Sequence, residues 1–284
     1  DPCAAYQVHL DVPAGGTAEV RFLLGEGSDR EDAARLAREA RKAPGWEATR
    51  DRWEEALGRI TVRTPEPSMD VLLNRWLPYQ TLSSRVRART ALYQSSGAFG
   101  FRDQLQDVLS LLHHDPGLAR DHLLRAASRQ FEEGDVLHWW QPDSRRGVRT
   151  RCSDDLLWLP HAVAAYVRAT GDRGVLDEEA PFLRGPELEP GETERYAEFD
   201  AGPAATLFQH CLRAVDRGST AGRHGLPLMG SGDWNDGMNR VGDRGEGESV
   251  WLGWFLHAVL EDVADLCRGR GQEDRADGFR NRAS

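Results

Sequence analysis

Two carboxylates, Asp233 and Asp236, flank an indole and an amide in the run Gly232-Asp233-Trp234-Asn235-Asp236-Gly237. An indole face offers a stacking platform for the apolar C–H face of a pyranose. A carboxyl shielded beside it holds its proton closer to neutral pH. Such an acid can protonate a departing glycosidic oxygen. A plain Asx turn is the alternative reading of the same string. A calcium loop does not: counted from Asp233, its fifth and sixth positions would be Gly237 and Met238, neither of which fits an EF-hand.

A second candidate lies where a Gly/Ser/aromatic loop, residues 93–101, runs into a helix carrying Arg102 and Asp103. An Arg–Asp pair can hold two vicinal hydroxyls, one accepting and one donating. The alternative is an N-terminal cap with a satisfied ion pair. The third is His138-Trp139-Trp140-Gln141-Pro142, followed by Arg145, Arg146, Arg149 and Arg151. One of the adjacent indoles faces a core. The other could floor a sugar subsite, and Trp140 is carried forward for that role. The arginines read equally as a solvated loop, and Ser153 as the cap of a helix opening at Asp154. Phosphate-loop, nucleophile-elbow and dinucleotide fingerprints do not occur. Cys3, Cys152, Cys211 and Cys267 have no partner at zinc spacing, so reduced thiols and no metal site are expected.

The elements around these residues are mostly helical. Residues 7–12 and 19–24 alternate about a Pro13-Ala14-Gly15-Gly16 turn, a hairpin pattern. Ser28 and Glu31 fit a capping box opening a helix to Lys42, stopped by Pro44-Gly45. A second helix spans residues 47–57. Ser68 is placed as the cap of a helix to Arg87, kinked at Pro78. Further helices are expected over residues 104–113, 118–131, 155–169, 204–215 and 249–268. Residues 184–201 read as a long loop, and no strand pattern is evident after residue 65.

The chain has 284 residues with 39% hydrophobic and 29% charged content, ordinary for a globular protein. Its net charge of −10 argues against nucleic acid, while a neutral sugar is indifferent to it. The longest apolar run, residues 156–167, is too short to cross a membrane. The chain opens Asp1-Pro2-Cys3 and ends Asn281-Arg282-Ala283-Ser284, and a segment of a longer polypeptide is expected.

The strings YQSSGAFGFRDQLQD (residues 93–107), HWWQPDSRRGVRTRCSDDLLWLP (138–160), GSGDWNDGMNRV and GESVWLGWF together resemble glycoside hydrolase family 94. More narrowly, they are similar to the phosphorylase-type module of cyclic β-1,2-glucan synthases and to β-1,2-oligoglucan phosphorylases. The resemblance implies a mainly α fold, a partial (α/α)6 toroid preceded by a β-sandwich remnant and linker helices. The divisions expected are residues 1–26 for the sandwich end, 27–64 for the linker and 65–284 for part of the barrel. The implied reaction is inverting phosphorolysis of a β-glucan oligosaccharide, with inorganic phosphate as co-substrate and no cofactor. Asp236 would be the general acid, and Trp234, Asp103 and the adjacent Arg102 would line the glucosyl subsite. Arg85 matches a phosphate-contacting arginine only through a gap. Gly97 stands where cellobiose-type members carry arginine, which disfavours cellobiose. The family's phosphate-binding histidine and Thr-Gly pair would fall past Ser284, so the 284 residues alone are expected to be inactive. A cytoplasmic location, free or within a membrane-embedded synthase, is implied. A hydrolase on the same barrel would need a second carboxylate, from Asp103, Asp154 or Glu248. A glucan-binding module without turnover is the non-enzymatic alternative.

Overall fold

The computed structural model describes residues 5–42, 45–87, 97–141 and 145–284. Cys3, Pro44, residues 93–96 and Pro142 lie outside them. Helices hold about half of the chain, with two small sheets. Two compact units divide it, residues 1–54 and 55–284.

In the first unit, helix α1 (Arg30–Lys42) is capped one residue later than expected. Asp29 Oδ1 accepts from Asp32 N at 2.8 Å, and Ser28 N donates to Asp32 Oδ2 at 3.1 Å. The Asp29 and Asp32 carboxylates thus take the place of the Ser28–Glu31 box, because an aspartate side chain accepts from the first-turn N–H groups as a serine hydroxyl does. The hairpin does not form a ladder among the described residues. Its turn closes, with Gly16 N donating to Pro13 O at 2.9 Å and Gly15 at φ 73°. Val8, Val12, Phe22 and Leu24 remain exposed, however. A two-stranded ribbon with no sheet over its apolar face has little net stability.

Helix α2 (Trp46–Leu57) leads into the second unit. There the single helix expected from Ser68 is a run of α3 (Pro67–Val71), a π-turn (Leu72–Trp76), α4 (Leu77–Gln80) and a second π-turn (Thr81–Val86). Glu66, not Ser68, is its cap, accepting from Ser68 N at 3.2 Å and Ser68 Oγ at 2.8 Å. Pro78 has no N–H, and beside it the ladder widens so that Leu77 N reaches Leu72 O.

Helices α5 (Phe101–Leu111), α6 (Pro116–Ala127), α7 (Trp158–Thr170), α8 (Leu207–Gly218), α9 (Val250–Arg268) and α10 (Glu273–Ala283) build the core. Helix α7 packs against α5, α6, α8 and α9. Its sequence is apolar nearly all round, as an enclosed helix requires, with Trp158, Leu159, Ala162, Val163 and Tyr166 buried. Helix α10 was not legible because only Ala276 and Phe279 of its charged sequence are buried. Among the described residues no helix is long and apolar enough to cross a membrane.

Two sheets correct the all-helical expectation for this unit. Strands β1 (Phe99–Gly100), β2 (Leu137–Trp140), β3 (Arg146–Thr150) and β5 (Glu194–Glu198) form one antiparallel sheet in that order. Strands β4 (Glu179–Arg184) and β6 (Asp200–Thr206) form the other, so the expected loop over 184–201 holds β5 and the ends of β4 and β6, with residues 185–193 outside any strand. Sequences such as Glu-Arg-Tyr-Ala-Glu and Asp-Ala-Gly-Pro carry little intrinsic strand preference; pairing with neighbours decides their conformation.

Candidate functional site

The glycine-hinged loop carrying Asp233 and Asp236 is clasped at both ends. Ser231 N donates to Arg151 O at 3.0 Å, and Ser153 N to Gly232 O at 2.9 Å. Ser153 Oγ donates to Met229 O at 2.9 Å, so this serine ties the loop instead of capping a helix. Gly230 sits at φ +63°, and a Cβ there would meet Arg151 O at 2.0 Å; only glycine fits the crossing. At the far end, Ser249 Oγ donates to Asp233 Oδ2 at 2.6 Å while accepting from Leu252 N as the cap of α9.

Within the loop two Asx turns follow one another. Asn235 N donates to Asp233 Oδ1 at 2.9 Å, and Gly237 N to Asn235 Oδ1 at 3.0 Å. The turn reading therefore holds for the backbone of this loop. Asp233 is buried as an anchor, whereas Asp236, opening a short 3-10 turn, keeps 57% of its side chain exposed. Trp234 between them is half exposed, with its indole available at the surface.

Arg102, in the first turn of α5, joins this loop to the helical core. Its Nη2 donates to both oxygens of Asp236 at 2.6 Å. Its Nη1 donates to Asp154 at 3.1 and 3.3 Å and to the Asp233 carbonyl at 3.0 Å. Asp154 is fully buried and also accepts from Trp158 Nε1 at 3.0 Å. Burial pushes the Asp154 carboxyl well above the usual range, and the neighbouring Asp155 charge adds to this; Arg102 and Trp158 pull the other way. For Arg102, burial disfavours the cation but Asp154, Asp155 and Asp236 outweigh it, and its pKa is raised.

Asp103 lies next to Arg102 with its carboxylate half exposed. Gly100 makes room for it, since a Cβ there would come within 2.1 Å of Asp103 Oδ2. Arg85 stands 3.5 Å from Asp103 and donates through Nε to Asp107 at 3.0 Å. Burial pushes the Asp107 carboxyl up to about 6 against the pull of Arg85. Two groups of charged contacts thus meet at the start of α5, Arg85 with Asp103 and Asp107 and Arg102 with Asp154 and Asp236, where Asp103 follows Arg102 in the chain.

Trp140 is a correction. It is 0% exposed, packed edge-on against Phe99 and Phe101, and offers no face to a sugar. β2 points its partner Trp139 the other way, beside Tyr196. The arginines are not simply a solvated loop either. Arg149 is buried on Asp135 and Glu133 over the Phe131 ring, and Arg151 holds the carbonyls of Leu188, Glu189 and Glu192. Among the carboxylates considered for a hydrolase, Asp154 is sealed in and Glu248 holds His224 at 2.6 Å; Asp103 alone is both exposed and beside Arg102.

Sequence spacing also concealed a cluster. His138, Cys152 and Asp155 come together although no compact motif joins them. A cavity of about 610 Å³ opens behind the loop, lined by Thr150, Cys152, Ser153, Gly230, Ser231 and Asn239 among others.

Residues 52–284 match the family model described as "Glycosyl hydrolase 94 superfamily, catalytic domain", and residues 1–43 match "Glycosyl hydrolase 94, supersandwich domain". The cyclic beta-(1,2)-glucan synthase NdvB of Rhizobium meliloti is 47% identical over 97% of this chain, which spans 10% of that protein. The solabiose phosphorylase of Paenibacillus borealis is 32% identical over 87% of this chain and 27% of its own length. The 1,2-beta-oligoglucan phosphorylase of Listeria innocua is 25% identical over 57% of the chain and 14% of its own length.

Proposed function

The chain belongs to the glycosyl hydrolase 94 superfamily, and on that premise we propose that it is part of an inverting phosphorylase of β-linked glucan, with β-1,2 linkages as substrate. The observation that carries this reading is the Arg102–Asp236 contact beside an exposed indole and the Asp103 carboxylate. Identity to a β-1,2-glucan synthase supports the linkage.

In the proposed reaction a phosphate oxygen attacks the anomeric carbon from the face opposite the leaving group. The glycosidic C–O bond breaks, its oxygen takes a proton from Asp236, and α-glucose 1-phosphate forms. One carboxyl suffices, because phosphate is already an anionic nucleophile. Without sugar, Asp236 accepts from Arg102 Nη2 through both oxygens. Sugar hydroxyls that take over Arg102 and Asp103 let Asp236 turn toward the acceptor oxygen. Its exposed side chain leaves room for that change. Trp234 stacks on the ring being held.

The wider reading has residues 1–26 ending a β-sandwich, 27–64 linking, and 65–284 forming part of an (α/α)6 barrel. The remainder of the parent chain supplies the phosphate-binding residues, and Arg85 contacts phosphate as well. Inorganic phosphate is the co-substrate, no cofactor is needed, and the site works in the cytoplasm.

The test is glucose 1-phosphate release from β-1,2-glucooligosaccharides by the full-length protein. Asp236→Asn should leave binding nearly intact and lower turnover by about 10²–10⁴. Near-wild-type turnover by that variant removes Asp236 from the role. Glucose released without phosphate would favour hydrolysis instead.

A further inference from the structure

Apart from the Arg102 cluster, one group of side chains is arranged for a different chemistry. His138 comes from β2, Cys152 follows β3, and Asp155 opens the 3-10 turn that leads into α7. One donor atom of each lies within 4.8 Å of the other two. Asp155 is almost fully buried, and its Oδ2 lies 2.7 Å from His138 Nδ1. Its second oxygen, Oδ1, is buried without any hydrogen-bond partner. An unsatisfied buried acceptor costs about 1–3 kcal/mol, and more when charged. Cys152 is a free thiol, 3.7 Å from Ser231 Oγ, and lines the 610 Å³ cavity, which gives the cluster a route to solvent.

We propose that His138, Cys152 and Asp155 form a binding site for a soft divalent cation of the zinc class. Thiolate and imidazole select zinc over magnesium or calcium, which take oxygen ligands. Cysteine, histidine and a carboxylate supply three of the four positions of a tetrahedron, and Cys152 is the one that borders the cavity. Thiolate and carboxylate together balance the charge of the ion. The unpaired Asp155 oxygen gains the partner it lacks. The bound ion joins β2, the exit of β3 and the start of α7. Ser153 and Asp154, which hold the glycine loop and Arg102, lie between two of its ligands. The ion therefore acts as a structural rivet beneath the candidate site and takes no part in bond breaking.

The full-length protein, stripped with chelator, is equilibrated with zinc or cobalt and dialysed, and bound metal is measured by mass spectrometry. The wild type should retain one more equivalent of zinc than Cys152→Ser, and excess magnesium should not displace it. His138→Gln should weaken zinc binding by about 10–100-fold or more. The cobalt form should show a thiolate-to-metal charge-transfer band that Cys152→Ser abolishes. The Ser variant is nearly isosteric, and its metal-free melting temperature checks that it folds. Equal zinc content in wild type and Cys152→Ser, or a cobalt spectrum unchanged by the substitution, overturns the proposal.

Discussion

One guanidinium nitrogen of Arg102 touches both oxygens of Asp236, and the other holds Asp154 in the protein interior. A single positive charge is thus divided between one exposed and one buried carboxylate. The buried partner thereby fixes where the exposed one meets the guanidinium.

Asp154 holds the buried side of Arg102, so its replacement should be felt at Asp236. Asp154→Asn loosens the guanidinium that positions the exposed carboxylate. In the full-length protein kcat for glucose 1-phosphate release should fall by about tenfold, equivalent to about 1.4 kcal/mol, with KM little changed. An unchanged kcat would show that Asp154 only anchors the helix start.

Trp234 is tested by separating affinity from stability. Its indole is half exposed, so Trp234→Ala should change the melting temperature little. Binding of a β-1,2-glucooligosaccharide, measured by calorimetry, should weaken by about 1–3 kcal/mol. Unchanged affinity with reduced stability would make the indole a packing residue.

Acid sensitivity should trace in part to His122. This side chain is 1% exposed beside the Phe99 ring, with Nε2 unpartnered. Burial, assisted by the Arg125 charge, pushes its pKa down to about 3. The unfolded chain binds a proton near pH 6.5 that the folded chain refuses. Stability is therefore complete above that pH and falls as pH drops, by about 2 kcal/mol at pH 5. Denaturant unfolding of His122→Leu at pH 7 and pH 5 should show a loss smaller by that amount. Equal losses in the two proteins would assign the sensitivity elsewhere.

Much of this architecture is legible from local patterns. Helices α5, α6, α8 and α9 stand out by an apolar face, α7 by being apolar nearly all round, and the Asp233–Asp236 loop by its unusual residue types. What escapes is decided by partners distant in sequence. The strands are short and polar and exist through pairing, as Val148 does opposite Tyr196. Trp139 and Trp140 look alike in the chain, and only the direction of β2 tells which one is interior. Ser153 reads as a helix cap but ties the loop instead, and Ser249, read as the first residue of a helix, is its cap and holds the loop as well. The His138–Cys152–Asp155 grouping has no spacing signature because it joins a strand, a strand exit and a helix entry.

Arg102 lies 52 positions from Asp154 and 134 from Asp236. During synthesis the buried carboxylate therefore emerges well before the exposed one. The gap between them is 134 − 52 = 82 residues, or about 4–16 seconds at ordinary translation speeds of about 5–20 residues per second. Through that interval the guanidinium can settle on Asp154 and Trp158 can close over both. The Asp233–Asp236 loop leaves the ribosome after both, and it docks onto a cation already in place.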